Sequence, residues 1–205
     1  MSDAETLDMV ALAREARDQM PPNAAFRDVD EAVLAQHRDF LTALEGRIVQ
    51  SFYDTVYGHH ATAAVFRDGE RPAREQSLGA WWRRTAQGPH DEEYFSWMAM
   101  VGLVHVVRGV SNPMMISMAD HASREVAAAA RDSQLPPEEA DRLSESCRRL
   151  LSTVSGVITY GYDRAVENAL FEIAGMPPAL LHRLRDQSVG ESLEHARKDL
   201  ARPAG

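Results

Sequence analysis

From Pro136-Pro137 to about Ala174 the chain holds one uninterrupted helical pattern, and a helix of that length spans roughly 55 Å, more than a small domain needs. Along it run two apolar faces. One carries Leu143, Cys147, Leu150, Val154, Val157 and Gly161; the other carries Leu151, Ile158, Tyr162, Val166 and Leu170. A helix that is apolar on both sides must be covered on both sides. The expectation is that one face packs on its own domain and the other on a second copy of the chain. Residues 179–200 are the alternative cover.

The remaining punctuation falls between further helical segments. Residues 3–19 form an amphipathic pattern closed by Pro21-Pro22-Asn23, and 29–45 runs into 46–57 with Leu34, Phe40, Leu41, Leu44, Ile48, Phe52 and Val56 at helical spacing. After Gly58 and His59-His60, a short segment ends at Phe66. Helices then follow near 72–86, 91–110 and 113–132, separated by Gln87-Gly88-Pro89 and Ser111-Asn112-Pro113. Gly175-Met176-Pro177-Pro178 closes the long helix, and Ala179 to Leu200 reads as a weaker final one. No run of alternating β-branched residues interrupts this pattern, so the expected fold is all-α.

A length of 205 residues suits one main domain with a real core. The formal net charge of −9 argues against a nucleic-acid partner and against an anionic membrane surface. Cys147 is the only cysteine, which excludes an internal disulfide, a thiolate metal cage and covalent haem attachment. The start, MSDAETLDMV, lacks a basic segment followed by an apolar one, and no stretch has the length of a membrane span, so a cytoplasmic location is expected.

Chemistry concentrates in Met98 to Val110, MAMVGLVHVVRGV, where a single histidine sits among apolar residues. On a helix, Gly102 and Gly109 fall three residues before and four after His105, on a shared face. A flat, greasy face with one nitrogen ligand suits a porphyrin, which needs a neutral imidazole for its iron and no bulky side chains beside it. The alternative is a core histidine hydrogen-bonded to a neighbour, with the glycines serving close helix packing. Met98 and Val101, in the same run, are counted with the candidate cofactor contacts.

The chain resembles the sensor-globin and protoglobin group, the haem domains of globin-coupled sensors. The resemblance lies in Ile48-Val49-Gln50-Ser51-Phe52-Tyr53, in Phe66, in Gln87-Gly88 followed by His90-Asp91-Glu92-Glu93-Tyr94, and in Val101-Gly102-Leu103-Val104-His105 with Gly109-Val110; it covers roughly residues 30–170. It implies a globin-like fold with an extra N-terminal helix and a long last globin helix that builds a dimeric four-helix bundle. The corresponding division is an N-terminal helical extension over 1–25, a globin sensor domain over 26–174 and a helical tail or linker over 175–205. The implied cofactor is haem b. By the resemblance His105 matches the proximal iron ligand, Tyr53 the distal tyrosine that donates to O₂, and Phe66 the phenylalanine packed on the porphyrin. Trp81 and Trp82 match the distal helix, where one narrows the gas pocket and the other packs outward.

Two departures stand out. The family usually carries an arginine near Met100 and a Trp-Tyr pair near Met114-Met115, and here all three positions are methionine. These methionines read as packing, or as the lining of a softer pocket. His59, His60 and His90 sit in turns and are expected to be solvated. Propionate partners are open among Arg71, Arg74, Arg83, Arg84 and Arg108.

There is no Glu-x-x-His pair of the di-iron kind, no phosphate loop and no His-Glu-x-x-His zinc helix. The expected function is reversible binding of O₂, or of CO or NO, by a homodimer that reports occupancy through its interface. Alternatives are a haem enzyme turning over NO with O₂ or reducing peroxide, and a haem-free dimeric interaction module. No kinase, cyclase or methyl-accepting segment is recognisable after residue 175. The expectation is a stand-alone sensor that signals to a separate partner, or a sensor separated from its output domain.

Overall fold

The computed structural model describes residues 7–200, which form ten helices and, among these residues, no strand. They are α1 (Met9–Asp18), α2 (Asp28–Gln36), α3 (Arg38–Ala43), α4 (Glu45–Gly58), α5 (His60–Ala63), α6 (Arg71–Gln87), α7 (Glu92–Arg108), α8 (Asn112–Arg131), α9 (Pro137–Ala174) and α10 (Pro178–Leu200). The all-α expectation holds. The start of the first predicted segment, residues 3–6, lies outside the described residues.

Each break has a local cause. The Asp8 carboxylate accepts from the Val10 and Ala11 amides and starts α1, and Asp91 accepts from the Tyr94 amide at 3.0 Å and starts α7. Pro72 and Pro113 occupy first-turn positions of α6 and α8, where a missing N–H costs nothing. Gly109 closes α7 and Gly175 follows α9, both at positive φ (70° and 60°), a conformation glycine adopts without steric cost. The predicted run over 29–45 is two helices, because the turn at His37 resets the axis between α2 and α3.

By backbone contacts the described residues divide into two compact units, one running up to Ala165 and the other beginning at Val166. In the first, α1 packs on α7, α4 on α6 and α8, and α3 on α6. Its core is built on Leu34, Ile48, Trp82, Phe95, Leu143 and Val157, all nearly inaccessible. In the second, no residue of α10 is buried, and Leu170 and Ile173 of α9 are 51% and 84% exposed.

The long helix corrects the argument from its two faces. Leu151 and Ile158, assigned to the face that needed a partner, are buried within this one chain. Up to Ile158 the second face is therefore satisfied internally, because other helices of the first unit close over it. Only beyond residue 165 do large apolar residues of α9 stand in the open.

His59 and His60 are exposed as expected, but His90 is not. Its Nε2 donates to the Thr85 carbonyl at 2.7 Å and its Nδ1 lies 2.6 Å from the Glu31 carboxylate. A turn residue is solvated only if nothing folds over it, and here Phe26 and Tyr94 pack edge-on against the ring. Cys147 packs in the core, where burial pushes its thiol up to about 12.

Candidate functional site

An apolar cavity of about 320 Å³ lies inside the first unit, within the range of small-molecule and cofactor sites. Phe52, Tyr53 and Val56 of α4 line it with Thr62 and Phe66 of the following segment. Arg74, Leu78 and Trp81 of α6 form another wall. Across from these, α7 contributes Trp97, Val101, Val104, His105 and Arg108. Met114, Met115 and Met118 of α8 and Val154 and Ile158 of α9 complete it.

His105 is the only imidazole in this lining. Burial lowers its pKa, so the ring is held neutral with a lone pair free for a metal. Its Nδ1 is buried and has no hydrogen-bond partner among the described residues. A buried polar atom left unpaired costs about 1–3 kcal/mol, which marks the ring as one whose partner is not supplied by the protein.

Tyr53 is 5% exposed, in edge contact with Phe66 at 6.0 Å between ring centroids. Burial pushes its phenol up to about 12, against the opposing field of Arg74, so it remains a neutral O–H donor at any physiological pH. Tyr53, Phe66, Trp81, Val101 and His105 are thus brought together around one cavity.

Four other candidates lie elsewhere. Gly102 does not open the cavity: a Cβ there would overlap the Ile158 carbonyl oxygen and sit 2.6 Å from the Tyr162 nitrogen. A Cβ at Gly161 would in turn overlap the Ala99 carbonyl oxygen. The two glycines form a close crossing of α7 on α9, as the packing alternative held. Gly109 is the left-handed cap of α7, with open space around it. Met98 is fully buried in the core rather than in the cavity lining. Trp82 turns away from the cavity but inward, its indole N–H donating to the Leu41 carbonyl at 2.9 Å.

Sequence reasoning missed Leu78, Trp97, Val104 and Met118 as site residues, all of which line the cavity. Met114 and Met115 line it too, the second of the two readings given for them, while Met100 is 41% exposed. Arg74, Leu78 and Trp81 are spaced i, i+4, i+7 on α6, so their shared face was available from the sequence.

The donor set fits a haem. An iron already held by four macrocycle nitrogens needs only one side-chain ligand. Among the described residues there is no cluster of three or more His, Cys, Asp or Glu that could hold a bare ion. One neutral imidazole in a greasy slot, with a phenol on another wall, meets the requirement of the first and not the second.

A helical fold wrapped on such a histidine-and-tyrosine cavity defines a globin-like protein. The chain belongs to the Protoglobin family, whose model matches residues 23–168. Among solved structures it is similar to the globin domain of the Geobacter sulfurreducens globin-coupled sensor, with a TM-score of 0.62 and 20% identity, covering 76% of this chain and 98% of that one. No curated protein matches the chain.

Proposed function

We propose that this chain is a haem b-binding globin that reversibly binds O₂, or CO or NO, and acts as a gas sensor rather than an enzyme. The observation that carries the reading is the cavity shared by His105, with its unpaired buried nitrogen, and Tyr53, with its neutral buried phenol. Family membership and the similarity to a globin domain of a globin-coupled sensor support it.

Haem b, when bound, supplies an iron centre that takes a diatomic gas. His105 would hold that centre, among the apolar side chains of Val101 on the same helix and of Met114, Met115 and Met118 on α8. Tyr53, a neutral O–H donor lining the same cavity, would favour O₂ over CO, since O₂ held at such a centre would carry more negative charge. Phe66 lies edge-on to the tyrosine, 6.0 Å between ring centroids, and Trp81 lines the same cavity.

Signalling requires two arrangements that bind the gas with different affinity. We place these in a homodimer joined through the C-terminal part of α9, where Leu170 and Ile173 are exposed and apolar. Among the described residues no helix is long and apolar enough to cross a membrane, and a cytoplasmic location is part of this proposal.

The test is an absorption spectrum of the purified protein as isolated, reduced, and exposed to CO. A Soret band that shifts on reduction and again with CO, in the pattern of a histidine-ligated haem, is expected. Absence of any band after haemin is added overturns the reading.

A further inference from the structure

The only charged side chains lining the cavity are Arg74 and Arg108. One comes from α6 and the other from the last turn of α7, a turn beyond His105. Both reach the same carboxylate. Arg108 Nη2 donates to Glu70 Oε1 at 3.1 Å and to Oε2 at 3.0 Å, while Arg74 Nη2 is 3.4 Å from Oε1. Two guanidiniums thus share one anion at the edge of an otherwise apolar cavity, leaving a net charge of +1 in that cluster.

Arg74 is the less satisfied of the two. Its single ion-pair contact is long, and its Nε is buried without any hydrogen-bond partner. A guanidinium has five N–H donors in a fixed fork that suits a carboxylate held bidentately. A buried, unpaired N–H on such a group, in a side chain that lines a cavity, calls for an acceptor that the described residues do not contribute. Glu70 itself is held below its usual carboxylate range: burial works against this, but the Arg67 amide and the two arginines outweigh it. It is firmly an anion at neutral pH.

We infer that Arg74 and Arg108 are the seat for the haem propionates, and that Glu70 is a resident carboxylate that holds both guanidiniums at the cavity edge until a propionate joins or displaces it. The inference rests on the haem-binding reading above and assigns two of the five arginines that the sequence left open. It has a second consequence. Because Glu70 and Arg74 belong to the start of α6 and Arg108 to the end of α7, occupation of the seat rearranges a tie between the helix opposite the iron ligand and the helix that carries it.

The experiment compares protohaem with its dimethyl ester, in which both carboxylates are blocked. Haem loss to an excess of an apoglobin acceptor is timed for the parent and for Arg74→Gln, Arg108→Gln and Glu70→Gln, with circular dichroism confirming helix content. Each arginine variant is expected to lose protohaem about ten-fold faster, the effect of one charge-assisted hydrogen bond, and to lose the ester at the parent's rate. Glu70→Gln is expected to lose protohaem more slowly, yet to melt at a lower temperature when haem-free, since two guanidiniums then face each other without an anion. If one arginine variant fails to fold, the other and its Lys counterpart carry the test.

Equal retention of protohaem by parent and folded arginine variants overturns the seat. So does equal acceleration for protohaem and ester, which assigns the arginines to packing. A parent that binds neither porphyrin overturns the haem reading itself, and the seat with it.

Discussion

Gly102→Ala is the sharpest structural probe, because adding one methyl group has two opposed effects of calculable size. Replacing a mid-helix glycine by alanine favours α7 by about 1 kcal/mol through backbone entropy. Against this, the new Cβ overlaps the Ile158 carbonyl oxygen and lies 2.6 Å from Tyr162 N and 2.9 Å from Gly161 C, all backbone of α9. Ordinary contact begins near 3.4 Å. The two helices must therefore separate by about 1 Å, and backbone cannot rotate aside as a flexible side chain can. Overpacking of this kind costs about 1–3 kcal/mol, and a rigid neighbour puts it at the upper end. The net expectation is a loss of about 2 kcal/mol, or roughly 4–8 °C in Tm for a chain of this size.

Urea unfolding of the purified protein, with its haem content held constant, measures it. A double-mutant cycle with Gly161→Ala adds a second check. Once one methyl has parted the helices, the second meets less resistance, so the pair should cost less than the sum of the singles. A Gly102→Ala protein as stable as the parent or more so refutes the close crossing, since only the propensity gain would then remain.

Three further outcomes are expected. His105→Ala should abolish stable haem binding, with added imidazole restoring the spectrum; a normal histidine-ligated ferrous CO spectrum in the variant would remove His105 from its role. Tyr53→Phe should speed O₂ release roughly ten- to hundred-fold, the equivalent of one hydrogen bond of about 1.5–3 kcal/mol to a charged acceptor. CO release should change much less, and stopped-flow measurement with both gases separates the hydroxyl's effect from that of bulk. Cys147 should make stability fall with alkaline pH: its thiol is pushed up to about 12 in the fold, so above the unfolded value near 8.5 only the unfolded chain loses that proton. The loss should reach about 1 kcal/mol by pH 9.5, before the buried tyrosines, whose ordinary value is near 10, add appreciably to it, and Cys147→Ala should lack most of this slope in urea titrations.

The helices were legible because their ends are written in capping residues, prolines and glycines, and such signals are local. The face that each helix turns to the cavity was legible only in part. On α7, at about 100° per residue, Met98, Gly102 and Gly109 fall about 20–60° to one side of His105, while Trp97, Val101, Val104 and Arg108 fall about 40–100° to the other. Spacing placed the glycines with the histidine, since three and four residues both count as one turn. It did not say on which flank the cavity lies, and that is decided by α9, whose backbone takes the glycine flank. The tryptophan pair fails for the same reason. Adjacent residues point about 100° apart, and only the Leu41 carbonyl, forty-one residues away, draws Trp82 to the core and leaves Trp81 for the cavity. Methionine at 114 and 115 carries no signal of its own, because a flexible apolar chain suits a core and a pocket equally.

The glycine crossing also bears on how a change at His105 would travel. Three residues separate His105 from Gly102, less than one turn of a continuous helix, so the two move together unless α7 bends between them. At Gly102 the backbone of α7 rests on that of α9 at Ile158 to Tyr162, with no side chain between to absorb a displacement. Ile158 touches both ends of this path, its carbonyl against Gly102 and its side chain in the cavity wall. A tug on the histidine along its helix therefore reaches α9 as a backbone displacement, whereas α4, which carries Tyr53, meets the cavity only through side chains that can rotate. On the proposed gas-sensing reading, the histidine side is the stiff arm and the tyrosine side the selective one. Gly102→Ala and Tyr53→Phe should thus separate: the first loosens the link from His105 to α9 while leaving the O₂-to-CO preference in place, and the second removes the preference while leaving the link intact.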